Sequence, residues 1–161
     1  FQPGGCATRI ALEGLREAAL LLPGGEPAFA GNALSLLGAL RAACEAETAY
    51  SGAQFVLCAN EDVAISGRFA ALDGDEDDLL RAYPADAAPA YATGLSLPVG
   101  RHAVDAAQLH GELCALLDEA PALCLALAPE DYAPASIAGL LQKILHQTHC
   151  PIVEITRRGR V

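Results

Sequence analysis

Two pairs of charged residues stand where they could bind a small anion together. Glu130 and Asp131 follow residues 122–128, a short apolar run typical of a buried strand. Arg157 and Arg158 follow the last strand that the sequence predicts. Because ligands of open α/β sheets bind beyond the carboxyl ends of the strands, the carboxylates can act there as general bases or cation ligands. The guanidinium groups can hold a carboxylate or a phosphate. Solvated strand ends also explain these charges.

A second acidic pair, Glu61 and Asp62, follows the apolar run 53–59 in the same way. It supports the same interpretation more weakly, because a four-residue hairpin turn also favours Asn, Glu and Asp.

The acidic run at residues 73–78 resembles the opening of a calcium-binding loop. Asp73, Asp75 and Asp77 occupy its first, third and fifth positions. However, Asp78 stands at the sixth position, where such a loop needs glycine, and Pro84 stands at the twelfth, where it needs glutamate. An acidic turn before a helix N-terminus, where the helix dipole favours negative charge, explains the run better.

His146, His149 and Cys150 have the most metal-like spacing in the chain. Histidines three residues apart share a helix face, and an adjacent thiolate suits zinc. Imidazoles also interact favourably with the dipole at a helix C-terminus, so a solvated helix end is the simpler explanation and no metal site is predicted.

Several well-known signatures are absent from the sequence. It contains no GxxxxGK[ST], GxGxxG, GxSxG or CxxC pattern, which leaves phosphate-loop, dinucleotide-binding, serine-hydrolase and dithiol chemistry without support. No cofactor can be assigned.

Composition limits the partners. The 161 residues are 53% apolar and carry 20 acidic against 10 basic residues, for a net charge of −10. Such a charge disfavours nucleic acid and anionic membrane surfaces, and no apolar run is long enough to span a bilayer. Nine arginines against the single Lys143 indicate a GC-rich, bacterial genome.

The six cysteines are too sparse for a disulfide scaffold, so they are expected to be mostly reduced core residues of a cytoplasmic protein. They are Cys6, Cys44, Cys58, Cys114, Cys124 and Cys150.

The elements that would position these residues follow from apolar spacing. The first half of the chain predicts a helix over Thr8–Leu22, a second helix capped by Asn32, and a strand over Ala53–Ala59. Residues 63–72 would form a further strand, joined to the first as a hairpin, before a short helix at 79–83.

The last third of the chain predicts alternating strands and helices. Strands are expected at Leu95–Val99, Ala122–Ala128 and Pro151–Thr156. Asp105 and Gln108 form a capping box for a helix that reaches Glu119. Ser136 would cap a helix whose inner face carries five aliphatic residues: Ile137, Leu140, Leu141, Ile144 and Leu145.

This alternation predicts an α/β fold: one domain over residues 1–161 in two or three layers. Its sheet of about five strands would be mostly parallel, or mixed if the hairpin forms, and flanked by helices.

Three functions are compatible with the sequence. The first is a non-catalytic ligand-binding, sensing or assembly domain of a bacterial cytosolic system, in which part of the apolar excess is covered in a homo-oligomer or by a protein partner. The second is a small enzyme acting on an anionic metabolite through Glu130 or Asp131 with Arg157 or Arg158. The third is a metal or thiol site at residues 146–150.

Overall fold

A computed structural model describes residues 7–59, 68, 94–97, 102–127 and 133–157, apart from the side chains of Ala126 and Arg157. Its described part contains four helices and four strands. They are β1 (Ala7–Leu12), α1 (Leu15–Leu21), α2 (Gly25–Ser51), β2 (Gln54–Ala59), α3 (Ala103–Cys114), β3 (Leu123–Leu127), α4 (Pro134–Gln147) and β4 (Val153–Arg157). This confirms a mixed α/β structure.

The first element is a strand, so the predicted helix over Thr8–Leu22 is wrong in its first half. β1 pairs in parallel with β2, from Ala7 opposite Gln54 to Leu12 opposite Ala59. Gly14, with a φ of 71°, turns the chain into the short helix α1. The apolar spacing fits a helix as well as a strand, and only pairing with a segment more than 40 residues away decides between them.

The second predicted helix begins seven residues before its predicted cap. Asn32 lies inside α2, and its side-chain amide donates to the carbonyl oxygens of Ala19 (3.0 Å) and Pro23 (3.3 Å), joining α2 to the end of α1. α2 has 27 residues and is about 40 Å long. It ends at Ser51 and is capped by Gly52, whose left-handed backbone lets its N–H reach the Thr48 carbonyl at 2.9 Å.

α3 differs from its prediction at both ends. His102, not Asp105, caps it, with Nδ1 accepting from the Val104 N–H at 3.4 Å. Gln108 does not reach back to the cap, because its amide donates to Glu112 at 2.6 Å. The helix ends at Cys114, five residues before the predicted end, and the chain then turns towards β2.

The predictions for β2, β3 and β4 are confirmed, with ends that differ by one or two residues. α4 is confirmed too, but it begins at Pro134 with Ala133 as the cap, so Ser136 lies inside it. Ile144 is fully buried as expected. Leu145 is 74% exposed, so its predicted place on the inner face is wrong.

The remaining sequence predictions fall on less completely described parts of the chain. Gly94 and Leu95 form a turn, and Ser96 and Leu97 are not in a strand, which contradicts the beginning of the predicted strand 95–99. Arg68, the described residue in predicted strand 63–72, is helical and exposed. Residues 73–93 lie outside the described part of the chain.

The strands that the structure describes form two parallel pairs, β1–β2 and β3–β4, and no sheet of five strands is seen among them. In the second pair, Leu123 lies opposite Val153 and Leu127 opposite Arg157. One isolated parallel bridge, between Cys58 and Glu119, brings the segment after α3 alongside β2.

Two groups of buried side chains form the core, and α3 contributes to both. Leu109 and Leu113 belong to the larger group with Phe29, Leu37 and Leu57. On the same helix, Ala107 belongs to the smaller group. The other buried members of the smaller group come from β3 and α4: Leu123, Leu125 and Ile144. α3 therefore contributes buried side chains to both groups, which also include residues of β2 and β3. Among the described residues, no helix is long and apolar enough to cross a membrane.

Candidate functional site

The sequence predicts an anion site at the carboxyl edge of the β3–β4 pair. β3 ends at Leu127, which lies directly opposite Arg157, the last residue of β4. The two strands are parallel and in register, so both end at the same edge of the pair. Glu130, Asp131 and Arg158 lie outside the described residues, as does the side chain of Arg157. Glu61 and Asp62, which follow β2, also lie outside them.

The first turn of α1 holds a buried carboxylate, Glu17, that the sequence patterns did not indicate. Glu17 is only 4% exposed, and its carboxylate lies 3.7 Å from Arg16 Nη1. Arg16 Nε is buried and makes no hydrogen bond to the part of the chain that the structure describes. Burying charge costs free energy unless it is paired, and the Arg16 guanidinium supplies an opposite charge for the Glu17 carboxylate. The Glu13-Gly14 break was the available signal, but reading 8–22 as one helix concealed it.

Asp118 joins the segment after α3 to β2 through hydrogen bonds with Leu57. Its Oδ2 accepts from the Leu57 N–H at 2.7 Å, and its own N–H donates to the Leu57 carbonyl at 2.9 Å. Its Oδ1 accepts from Arg41 Nη1 at 2.6 Å. The Arg41 guanidinium and the Leu57 N–H hold the pKa of Asp118 below its ordinary value. Both carboxylate oxygens and the backbone N–H of Asp118 are bonded within the chain, which indicates a structural role.

Arg9 of β1 makes another contact with the segment after α3, in addition to the bonds between Asp118 and β2. Its guanidinium lies 3.7 Å from the buried thiol sulfur of Cys58 and forms a salt bridge with Glu119. The contact with Cys58 and the charge of Glu119 raise the pKa of Arg9. The Arg9 and Glu119 side chains are more than half exposed, so the pair stabilises the fold only weakly.

The candidate metal ligands at the end of α4 are not gathered with other ligands among the described residues. His146 and His149 are exposed and Cys150 is half-buried. Within the described ranges, no three His, Cys, Asp or Glu side chains are arranged to hold a metal ion. The helix end is instead closed by Thr148, whose hydroxyl and N–H both donate to the Ile144 carbonyl, at 2.9 and 3.0 Å.

The cysteine environments agree only in part with the expectation of core thiols. Cys58 and Cys114 are buried, but Cys124 is exposed on β3, where its thiol lies 3.6 Å from the Glu154 carboxylate. Burial raises the pKa of the Cys114 thiol to about 11, and the nearby Cys150 adds to that shift.

A buried histidine lies on the same helix as Cys114. His110 is 1% exposed, and its Nε2 donates to the Pro121 carbonyl at 3.0 Å.

Comparison with known proteins gives no further guide to chemistry. No known family model matches the chain, and no curated protein matches its sequence. Function must therefore be inferred from the arrangement of its own residues.

Proposed function

We propose that this chain is a non-catalytic ligand-binding or sensing domain that binds a small anionic molecule at the carboxyl edge of β3 and β4. In this proposal Arg157 and Arg158 bind the anion, while Glu130 and Asp131 bind hydrogen-bond donors of the same ligand. Arginine suits this role because its planar guanidinium group can donate two parallel hydrogen bonds to a carboxylate or phosphate.

The observation that carries the proposal is the parallel register of β3 and β4. Leu127 lies three residues before Glu130 and opposite Arg157. Had the strands been antiparallel, the acidic pair and the arginine pair would have left the sheet at opposite ends. The observed register is the one that lets both pairs contribute to a single site, at the edge where α/β sheets bind ligands.

We further propose that the two strand pairs belong to one mostly parallel sheet of about five strands, in a single domain of two or three layers. Two observations support this. The Cys58–Glu119 bridge extends the β1–β2 pair towards the segment that leads into β3. α3 also packs into both buried groups.

The domain is proposed to act in the bacterial cytoplasm, as a homo-oligomer or with a protein partner. Large apolar side chains on its surface support a protein contact: Leu21 is 67% exposed, Leu145 74% and Tyr50 89%. A net charge of −10 supports the expectation that nucleic acid and anionic membranes are not partners. Sedimentation of the full chain checks the oligomer, and a strict monomer at high concentration would count against self-association.

Calorimetric titration with inorganic phosphate, succinate and citrate tests the ligand site. The expected result is saturable binding of at least one anion, which Arg158→Gln weakens at least tenfold. Arg160→Gln removes the same charge two residues later and should change the affinity less than twofold. Equal losses in both variants would show that only net charge matters, and an absence of binding by all three anions would contradict this ligand class.

The enzyme alternative uses the same edge, with Glu130 or Asp131 as a general base. It differs from the binding proposal in one measurable respect: a bound anion would be consumed. Incubating the protein with each anion that binds, followed by analysis of the recovered ligand, separates the two, since a binding domain returns the ligand unchanged.

A further inference from the structure

Two cysteines far apart in sequence approach each other where the loop after α4 crosses α3. Gly111 of α3 is in such close contact with this loop that a Cβ on it would lie 2.8 Å from the Cys150 nitrogen and 2.7 Å from the His149 carbonyl carbon. Cys114 lies three residues further along α3, on nearly the same helix face as Gly111. The backbone contact therefore brings Cys114 and Cys150 into one neighbourhood.

Hydrogen bonds of the two thiols support this placement. The Cys114 thiol lies 4.0 Å from the Pro121 carbonyl oxygen, and the Cys150 thiol lies 3.5 Å from the Ile152 carbonyl oxygen. The Ile152 carbonyl also accepts from the Leu123 N–H at 2.9 Å. Both sulfurs thus lie beside the same short stretch, the point where β3 begins next to the chain that enters β4.

The two thiols differ in access to solvent. Cys114 is 6% exposed, whereas Cys150 is half-buried. Burial raises the pKa of both thiols, so both are protonated at neutral pH and react slowly. Both are free thiols in the structure.

We propose that Cys114 and Cys150 form a reversible disulfide by exchange with a low-molecular-weight disulfide. The bond would join α3 to the loop between α4 and β4, and so fix the second strand pair to the helix that contributes to both buried groups. This modification site is independent of the proposed anion site.

The exchange has two steps. The Cys150 thiolate, after losing its proton to solvent, attacks one sulfur of the small disulfide, forming a mixed disulfide and releasing one small thiolate. The Cys114 thiolate then attacks the Cys150 sulfur, forming the protein disulfide and releasing the second small thiolate. Two protein thiols lose two protons and two electrons, and the small disulfide is reduced to two thiols. Cys150 reacts first because it is the more accessible of the two.

Oxidised glutathione, added to the native full-length chain, provides the test. Glutamyl endopeptidase separates the relevant thiols, since cleavage after Glu112, Glu119, Glu130 and Glu154 puts Cys114 in 113–119, Cys124 in 120–130 and Cys150 in 131–154. We expect an unreduced digest in which 113–119 is joined to 131–154, with a mass two hydrogens below the sum of the two peptides. A lasting glutathione adduct on Cys150 beside a free Cys114, or a bond from Cys150 to Cys124, would overturn the proposal.

Two variants sharpen the result. In Cys114→Ala the second step cannot occur, so glutathione should remain attached to Cys150; an unmodified Cys150 would contradict the proposed order of attack. In Cys124→Ala, which removes an exposed thiol of β3, the Cys114–Cys150 bond should form as in the unaltered chain. The unaltered chain decides the proposal even if Cys114→Ala folds poorly.

Discussion

Asp118 and Leu57 bind each other twice: the Leu57 N–H donates to the Asp118 carboxylate at 2.7 Å, and the Asp118 N–H donates to the Leu57 carbonyl at 2.9 Å. Leu57 is fully buried, in the middle of β2. A single residue after α3 thus satisfies both backbone groups on the open side of that strand, while Arg41 holds its other carboxylate oxygen.

Asp118→Ala should destabilise the fold by about 1–3 kcal/mol, because it leaves the Leu57 N–H without an acceptor and Arg41 without its carboxylate partner. Urea unfolding followed by circular dichroism measures this. Glu45→Gln removes the other partner of Arg41 on the exposed surface of α2, and should cost about 0.5 kcal/mol or less. Equal effects of the two variants would contradict the importance of the bonds to Leu57.

The contribution of Asp118 should depend on pH. Its pKa is lowered in the folded chain, so the stability it supplies is fully present above the ordinary aspartate pKa of about 4. That stability is lost as the pH falls through the lower folded pKa. The difference in unfolding free energy between the unaltered chain and Asp118→Asn should therefore be constant above about pH 5 and shrink in more acidic solution. A difference that grows on acidification would contradict this.

Two glycines in helices should respond to alanine in opposite directions. Gly111→Ala places a Cβ 2.7 Å from the backbone of His149, which must move, and should cost about 1–3 kcal/mol. Gly139→Ala in α4 meets nothing within 4 Å and should stabilise the fold by about 0.5–1 kcal/mol through helix propensity. Thermal unfolding of the two variants checks both signs, and a harmless Gly111→Ala would exclude the close contact between α3 and the loop.

Alkaline solution should destabilise the chain partly through Cys114. Burial raises the pKa of this thiol from 9.0 to about 11. Between these values the unfolded chain releases the thiol proton while the folded chain keeps it, so stability falls as the pH rises. Under reducing conditions, the unaltered chain should lose on the order of 1 kcal/mol more than Cys114→Ala between pH 8.5 and 10.5. Parallel curves for the two proteins would contradict the shift.

Local patterns in the sequence were enough to predict β2, β3, β4 and α4, because short apolar runs bounded by turn residues are informative on their own. They failed for β1, whose identity depends on pairing with β2 far along the chain. Asn32 was misread for a similar reason. It resembles a helix cap, but its side chain serves the turn between α1 and α2 from inside the second helix.

The charged and thiol contacts were beyond local reasoning. Asp118 and Arg41 are 77 residues apart, and no local pattern around either residue predicts that they form an ion pair. The closeness of Cys114 and Cys150 likewise depends on how α3 packs against the loop before β4. The candidate anion site depends on β3 and β4 being parallel. The alternation of strands and helices in the sequence does predict parallel strands. The parallel arrangement of β3 and β4 agrees with it.

The most direct test of the proposed anion site is a nuclear magnetic resonance titration of the full chain with the anion that binds most tightly among phosphate, succinate and citrate. We expect the largest amide shifts at the carboxyl ends of β3 and β4, in residues 127–131 and 156–158, and we expect Arg158→Gln to remove them. Shifts concentrated at the opposite ends of these strands, around Leu123 and Val153, would contradict it.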